Sequence, residues 1–264
     1  MKNNSEDVKR ISFSELKNWK ECPYRHKLIY VDKLPHFQGN EYTAFGTAIH
    51  EVCEKIIPNV ASNAYDIFLD SFSRECQTLT EQNGSINTEL VEQMKEQAVL
   101  ICDQVLPEVK QHFGKFEVVS VEEQILEPIK EFDSYETSFK GFIDMVIKTD
   151  DDKYHIIDWK TCSWGWSRDK KSDPMTTYQL TYYKNYFAKK HNIDPKQIET
   201  YFVLLKRTAK NNNVEVLRVT SGPKKIQNSL KVLQNAVINI EKGNYIKNRL
   251  NCTYCKFKNT EHCT

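Results

Sequence analysis

The stretch GFIDMVIKTDDDKYHIIDWKT, residues 141–161, places two apolar runs on either side of an acidic triplet. Such runs are typical of β-strands, and the triplet predicts a tight turn between them. Asp158 and Lys160 are two residues apart, so their side chains share one strand face. If the turn centres near Asp151, Asp144 lies directly across from Asp158 in an antiparallel pair. The stretch therefore predicts a hairpin on which two carboxylates and a lysine converge.

The neighbours of both carboxylates are apolar on both strand faces, which indicates buried strands; they are Phe142, Ile143, Met145, Val146 and Ile147 beside Asp144, and Tyr154, Ile156, Ile157 and Trp159 beside Asp158. Buried like charges repel and are poorly solvated, and a divalent cation relieves both problems. Carboxylate oxygens suit Mg²⁺ or Mn²⁺. Lys160 could orient an attacking water, help to deprotonate it, or stabilise charge on a phosphoryl group. An exposed salt bridge between Asp158 and Lys160 is the alternative, and the apolar flanks favour the catalytic interpretation.

Hydrophobic periodicity predicts an α/β protein with a helical N-terminal portion and a mixed β-sheet core flanked by helices. Helices are expected over residues 12–29, 44–57, most of 64–113, 175–191 and 223–241, the first opened by a Ser12–Glu15 capping box. Strands are expected over residues 116–126, 138–149, 153–162, 200–207 and 213–220. We therefore expect one domain over 1–264, divided into a mainly helical portion (1–113), an α/β catalytic core (114–242) and a cysteine-bearing tail (243–264).

The composition excludes several classes of protein. The net charge of the 264 residues is +1, so binding of nucleic acid requires a local basic patch. The polar start MKNNSEDVKR is neither a secretory signal nor a membrane anchor, and no run of about 18 apolar residues occurs. We therefore expect a cytoplasmic protein with no membrane contact. The phosphate-binding pattern GxxxxGK[ST] of ATPase motors is absent from the sequence.

Eight cysteines without a signal peptide favour metal or cluster ligation over disulfides. Three of them group near the C-terminus, and the best candidate for a fourth ligand precedes a proline far upstream; the four outer cysteines are Cys22, Cys252, Cys255 and Cys263. Thiolates of this kind hold either Zn²⁺ or an iron–sulfur cluster. The alternative is that the tail cysteines bind nothing. The other four lie in apolar-patterned segments and are expected to be small buried hydrophobes; they are Cys53, Cys76, Cys102 and Cys162.

The segments Gly141–Asp144 and Asp158–Thr161 together resemble the core of the PD-(D/E)XK nuclease superfamily. Matches from Ser12 to Cys263 resemble its RecB-like, AddB-like iron–sulfur branch, to which the CRISPR-associated spacer-acquisition nuclease belongs. The resemblance implies a restriction-endonuclease-like fold and a [4Fe–4S] cluster on the four outer cysteines. The spacing before Cys263 is longer than in that branch, which affects the expected loop geometry.

The same resemblance implies roles for residues on two helices. Gly46 and His50 match a G-x-x-x-H helix whose histidine binds metal, although a lone helical histidine is more often a core or surface residue. The implied metal ligands are His50, Asp144, Asp158 and the backbone carbonyl of Trp159.

Gln179 and Tyr183 match a Q-x-x-x-Y motif that borders the active site, and their spacing of four places them on one helix face. A packing helix with an amphipathic tyrosine is the alternative. Glu123, on the strand before Asp144, is a further candidate for a supporting acid.

Aromatic and basic residues interleave directly after the lysine strand, which suits base stacking and phosphate binding; they are Trp164, Trp166, Arg168, Lys170 and Lys171. Lys206-Arg207 and Lys224-Lys225 are further candidates, and ordinary solvated lysines are the alternative for each pair.

These features together predict a Mg²⁺- or Mn²⁺-dependent deoxyribonuclease with Asp144, Asp158 and Lys160 as its catalytic residues. Its partner is expected to be single-stranded DNA or DNA ends, and exonuclease action in recombination, repair or processing is favoured over sequence-specific cleavage. One rival is a non-catalytic nucleic-acid-binding subunit of a recombination or CRISPR-type complex, and the intact trio of residues argues against it. A second rival is an enzyme of the same fold with Zn²⁺ in place of the cluster.

Overall fold

The first part of the chain is mainly helical, and strands with intervening helices follow it. The computed structural model describes residues 9–37, 39–58, 63–130 and 136–264. The α-helices are α1 (Phe13–Glu21), α2 (Pro23–His26), α3 (Glu41–Ile56), α4 (Ala64–Asn83), α5 (Thr88–Phe113), α6 (Arg168–Ser172), α7 (Pro174–His191) and α8 (Pro223–Glu241). A π-helical turn, Lys27–Val31, follows α2, and two 3₁₀ turns are Pro195–Gln197 and Arg249–Asn251. The strands are β1 (Lys9–Ser12), β2 (Phe116–Pro128), β3 (Thr137–Thr149), β4 (Tyr154–Cys162), β5 (Ile198–Lys206) and β6 (Val214–Val219).

Local sequence signals set the helix ends. Asn40 caps α3 by accepting hydrogen bonds from the backbone N–H groups of Tyr42 and Thr43, and the Thr43 hydroxyl accepts one from the Asn40 N–H in return. Gly84 ends α4 with a φ of +80°, a conformation that glycine adopts without a steric penalty. Capping of this kind contributes about 1 kcal/mol per helix end.

The chain divides into two compact units. The first comprises Met1–Phe37, Gln124–Gly141 and Ser221–Thr264. In this unit β1 pairs in parallel with the beginning of β3, with Lys9 opposite Thr137. The side-chain amides of Asn248 and Asn251 donate to the Glu21 carbonyl at 2.9 and 2.7 Å, so the C-terminal tail is attached to the end of α1.

The second unit comprises Gln38–Glu123 and Phe142–Thr220. Here the later part of β3 pairs antiparallel with β4, β4 pairs in parallel with β5, and β5 pairs antiparallel with β6. In the sheet as a whole, β2 pairs with β3. Apolar side chains of α3, α4 and α5 pack on one face of these strands in a single core; its fully buried members include Phe45, Ile49, Phe68, Met145, Ile157, Trp159 and Val203. Burying one such side chain contributes about 1.5–3 kcal/mol.

The predicted fold class, a mixed sheet with flanking helices, is confirmed. The helix expected over residues 12–29 is wrong in its extent, because α1 ends at Glu21 and Cys22 is extended. Pro23 explains the break, since a residue before proline is disfavoured in the helical region. Strand β1 and helix α6 were not predicted, since each is only four or five residues long.

Candidate active site

The hairpin has the register expected from its sequence. Met145 lies opposite Ile157 and Lys148 opposite Tyr154, and one further step along this register brings Asp144 opposite Asp158. The Trp159 N–H donates a 2.7 Å hydrogen bond to Asp144 Oδ2, which joins the two strands at this level. The carboxylates therefore meet on one face of the sheet of the second unit.

Both carboxyl groups are buried. Asp144 is 8% exposed and Asp158 is 1% exposed. Burial raises the pKa of each to about 6, against the opposing effect of the Lys160 charge, and the charge of Asp144 adds to the shift at Asp158. Asp158 Oδ2 has no hydrogen-bond partner within the described residues, although Lys160 forms an ion pair with it. A pair of carboxylates in this state is incompletely neutralised.

Lys160 places its ammonium between a carboxylate and an aromatic ring. Its Nζ contacts Asp158 Oδ2 and lies 5.8 Å from the centroid of the Phe202 ring. Burial lowers the pKa of Lys160, but Asp158 and Asp144 outweigh this effect and the pKa is raised. The lysine is therefore a protonated cation at neutral pH.

His50 lies on α3 beside the hairpin. Its Nδ1 is 3.6 Å from Asp144 Oδ2, and the ring is also placed to hydrogen-bond the Trp159 backbone. Burial and the nearby Lys160 charge lower the pKa of His50, so its imidazole is neutral at pH 7. One turn earlier, a Cβ added to Gly46 would lie 3.3 Å from Thr161 Oγ1, so glycine allows α3 to approach β4 closely.

Gln179 and Tyr183 of α7 face the same carboxylate. The Gln179 Nε2 amide donates to Asp158 Oδ1 at 2.8 Å and to the Tyr183 hydroxyl at 3.3 Å. Burial raises the pKa of Tyr183, so its hydroxyl stays protonated. The predicted Gln–Tyr pair therefore orients Asp158.

Two further acids near this site were not predicted. Glu54 follows His50 by one helical turn, and burial together with the Glu122 and Asp144 charges raises its pKa to about 7. Glu122, an exposed residue of β2 with a φ of +48°, hydrogen-bonds Glu54. The i, i+4 spacing of His50 and Glu54 was the available signal. The candidate Glu123 instead contacts Lys190 at 2.8 Å and also contacts His191, so it faces another direction.

The loop after β4 contains the candidate substrate contacts. Trp164 is 73% exposed, whereas Trp166 packs on Phe202 with ring centroids 5.0 Å apart. Lys170 Nζ lies 4.6 Å from the Trp166 ring centroid. Trp164 is thus free to stack on a base, and Trp166 also supports the ring that contacts Lys160.

The other candidate basic residues are distributed differently. Lys171 and Lys206 both pair with Glu215, and Arg168 is exposed at the start of α6. Arg207 is engaged inside the unit: it donates to Gln97 and Ser163 and stacks on the Tyr42 ring at 4.8 Å. Lys224 and Lys225 lie on α8 in the first unit.

The four outer cysteines line one cavity of about 210 Å³ in the first unit. None forms a disulfide. Cys22 Sγ accepts hydrogen bonds from the backbone N–H groups of Arg25 and Asn248, each at 3.4 Å. Across the described ranges, no three His, Cys, Asp or Glu side chains already stand in the arrangement of a metal-ion shell.

Of the remaining cysteines, Cys53, Cys76 and Cys102 are buried as expected. Cys162 is only partly buried, because it is the last residue of β4 and borders the following loop. In the part of the chain that the structure describes, no helix is long and apolar enough to cross a membrane.

Comparison with known proteins places this geometry in context. The sequence model of the PD-(D/E)XK nuclease superfamily matches residues 10–260. A protein of Eubacterium rectale named "Putative exonuclease" shares 11% sequence identity with this chain, with a TM-score of 0.58 over 97% of this chain and 92% of that one. The protein named SSO0001 shares 12% identity, with a TM-score of 0.44 over 97% of this chain and 86% of that one. No curated protein matches the sequence. At this identity the Eubacterium rectale structure shows a shared fold.

Proposed function

Because the chain belongs to the PD-(D/E)XK nuclease superfamily, we propose that it is a Mg²⁺- or Mn²⁺-dependent deoxyribonuclease acting as an exonuclease on single-stranded DNA or DNA ends. The observation that carries the proposal is the convergence of Asp144, Asp158 and Lys160 on one buried hairpin face. The proposal includes a single nuclease domain, membership of the RecB-like, AddB-like iron–sulfur branch, and a role in DNA recombination, repair or processing. The name of the Eubacterium rectale protein supports exonuclease action.

The residues of the site fit a divalent cation. Asp158 Oδ2 is buried and, among the described residues, only the Lys160 ammonium pairs with it; both aspartates have a pKa raised to about 6 by burial. Carboxylate and carbonyl oxygens with one neutral imidazole form a donor set suited to Mg²⁺ or Mn²⁺. His50, Asp144, Asp158 and the Trp159 carbonyl would hold the ion.

Each protein group then has a defined chemical task. A bound divalent cation supplies Lewis-acid charge and lowers the pKa of the attacking water. Lys160, protonated at neutral pH, stabilises the negative charge that develops on the phosphoryl group and orients the water. Gln179 keeps Asp158 in position through Oδ1, and Tyr183 in turn holds the Gln179 amide. Trp164, Arg168, Lys170 and Lys171, in the loop and helix that follow β4, would contact the DNA, and Trp166 would support this segment by packing on Phe202.

We place a [4Fe–4S] cluster on Cys22, Cys252, Cys255 and Cys263. The proposal is supported by a shared cavity of about 210 Å³, by unpaired thiols, and by two N–H groups directed at Cys22 Sγ. Thiolate bonds to a cluster would join the two ends of the chain within the first unit, and closing so long a loop stabilises the folded state. Iron and acid-labile sulfide with broad visible absorption are expected in the purified protein. A colourless protein containing zinc would contradict the cluster and leave the nuclease proposal standing.

The test of catalysis is Lys160→Ala with Mg²⁺ or Mn²⁺ on end-labelled single- and double-stranded DNA. We expect the parent to shorten DNA from its ends, and the variant to lose about 100-fold or more of its activity because charge stabilisation at the phosphoryl group is gone. The matched control is Lys148→Ala on β3, whose ammonium pairs with Asp152 in the turn; it should cleave like the parent. If Lys160→Ala also cleaves like the parent, the mechanism is wrong. A parent that binds DNA but cleaves none with either metal would favour the non-catalytic subunit.

A further inference from the structure

The C-terminal tail combines positive charge with an unusually exposed aromatic side chain. Residues 244–260 contain four basic residues and no acidic residue. We define the tail surface as Lys247, Arg249, Tyr254, Lys256 and Lys258. Since the net charge of the whole chain is only +1, this run is a local concentration of positive charge.

Tyr254 stands almost entirely in solvent. It lies between Cys252 and Cys255, and the residue is 98% exposed. A tyrosine in this state contributes nothing to the core, and its ring offers both faces to a ligand. Phe257, three residues later, is by contrast 5% exposed and packs inward.

The basic residues of the tail surface are largely unneutralised. Arg249, Lys256 and Lys258 are exposed and form no ion pair with any residue in the described ranges. Lys247 differs from these three, because its Nζ lies 4.8 Å from the Tyr24 ring centroid and donates to a backbone oxygen of Thr264 at 3.4 Å.

The backbone beneath these side chains is held in place. The Cys255 N–H donates to the Cys252 carbonyl at 3.3 Å, and the Lys258 N–H donates to the Cys255 carbonyl at 3.1 Å. Asn248 and Asn251 attach the same segment to the end of α1. The ring and the charges are therefore presented from an ordered segment, which lowers the entropy cost of binding.

We propose that the tail surface binds single-stranded DNA, with Tyr254 stacking on a base and the lysines and arginine contacting phosphates. The inference rests on the proposed nuclease function and adds a second DNA contact on the unit that does not contain Asp144 and Asp158. A surface that pairs uncompensated cations with an exposed ring matches single strands, whose phosphates are anionic and whose bases are unpaired and open to stacking. In a duplex the base faces are already stacked on one another, so the ring has no partner there.

The test is binding to a fluorescein-labelled oligothymidylate, measured by fluorescence anisotropy. The protein is used as purified, with the metal or cluster that its four outer cysteines hold, and EDTA is added to prevent cleavage. Tyr254→Ala should raise Kd about 5-fold or more for the single strand and leave duplex binding unchanged. Lys256→Gln and Lys258→Gln should each make the negative slope of log K against log salt concentration less steep by about 0.7. Tyr254→Trp should restore tight binding. The matched controls are Phe37→Ala, which removes another exposed ring of the same unit, and Lys231→Gln on α8.

The outcomes separate this inference from the nuclease proposal. An unchanged Kd for Tyr254→Ala in a parent that cleaves DNA would overturn the tail surface alone. If Tyr254→Ala lost affinity equally for duplex and single strand, the stacking role would be wrong. Polyglutamate is a polyanion without bases; if it displaced the oligonucleotide equally well from the parent and from Tyr254→Ala, the stacking role would also be wrong. A parent that neither binds nor cleaves DNA would overturn the proposed function itself. Because Tyr254 is 98% exposed, its removal should leave the melting temperature and the visible absorption unchanged.

Discussion

Replacing Asp144 with asparagine should stabilise the metal-free protein while abolishing its activity. Burial raises the pKa of Asp144 from an ordinary 3.8 to about 6, which corresponds to at most about 3 kcal/mol of destabilisation once the carboxylate is ionised. Asparagine removes that charge, and its carbonyl oxygen can still accept the Trp159 N–H. It also removes the charge that raises the pKa of Asp158. We therefore expect Asp144→Asn to be more stable by about 1–3 kcal/mol at neutral pH in EDTA.

The pH dependence gives this prediction its sign. A carboxyl group whose pKa is higher in the folded state binds more protons there, so its penalty is absent below about pH 4 and complete above about pH 6. The advantage of Asp144→Asn over the parent, measured by urea unfolding in EDTA, should thus grow across that interval. Saturating Mn²⁺ should reverse the order, since only the parent retains all the proposed metal ligands, and an excess of about 100 times Kd adds about 2.7 kcal/mol. The exposed Asp103→Asn on α5 is the control. If Asp144→Asn is no more stable than the parent at neutral pH, or its advantage is equal at all pH values, the buried charge of Asp144 does not destabilise the metal-free protein.

Two further predictions concern packing and charge in the second unit. Trp166→Ala should lower kcat about 5-fold with little change in KM, because Trp166 packs on the Phe202 ring that lies 5.8 Å from Lys160 Nζ. Trp164→Ala, which removes an exposed ring, should instead raise KM. A raised KM for Trp166→Ala and a lowered kcat for Trp164→Ala would refute these two roles. Glu51→Gln should lower the free energy of unfolding by about 1–2 kcal/mol at neutral pH, measured in urea. Burial raises the pKa of Glu51, but hydrogen bonds from three donors outweigh burial and lower that pKa to about 2. The stabilisation is therefore present above about pH 4.5 and is lost as the pH falls toward 2. A difference that persists unchanged at about pH 3 would show that packing rather than charge is responsible.

The hairpin could be predicted from sequence because its information is local. Alternation places Asp158 and Lys160 on one face, and the turn fixes the position of Asp144 by counting residues. The Glu54–Glu122 pair could not be predicted in the same way, because Glu122 has a φ of +48° within β2. Strict alternation does not assign side chains to faces across such an irregular position.

The sequence also does not show which basic residues are available to bind a ligand. Arg207 is of a residue type that commonly contacts phosphate, yet its guanidinium donates hydrogen bonds to Gln97 and Ser163 and stacks on the Tyr42 ring. Which cations remain available for a ligand depends on tertiary partners, which composition does not encode. Spacing groups only the three C-terminal cysteines, and the resemblance adds Cys22; the cavity that all four line also involves the attachment of the tail to α1.

The charges of the active site explain why DNA binding in EDTA should report on other surfaces. Asp144 and Asp158 contribute two negative charges at neutral pH, and Lys160 contributes one positive charge. Burial raises the pKa of Glu54 to about 7, so its carboxyl group is only partly ionised at neutral pH. His50 is neutral, since burial lowers its pKa. The metal-free site therefore has a net negative charge and repels a phosphodiester, and a single divalent cation would cancel that charge. Affinity for DNA that persists without metal must then arise elsewhere, as at Tyr254 and its basic neighbours, whereas affinity that appears only with Mg²⁺ or Mn²⁺ belongs to the hairpin.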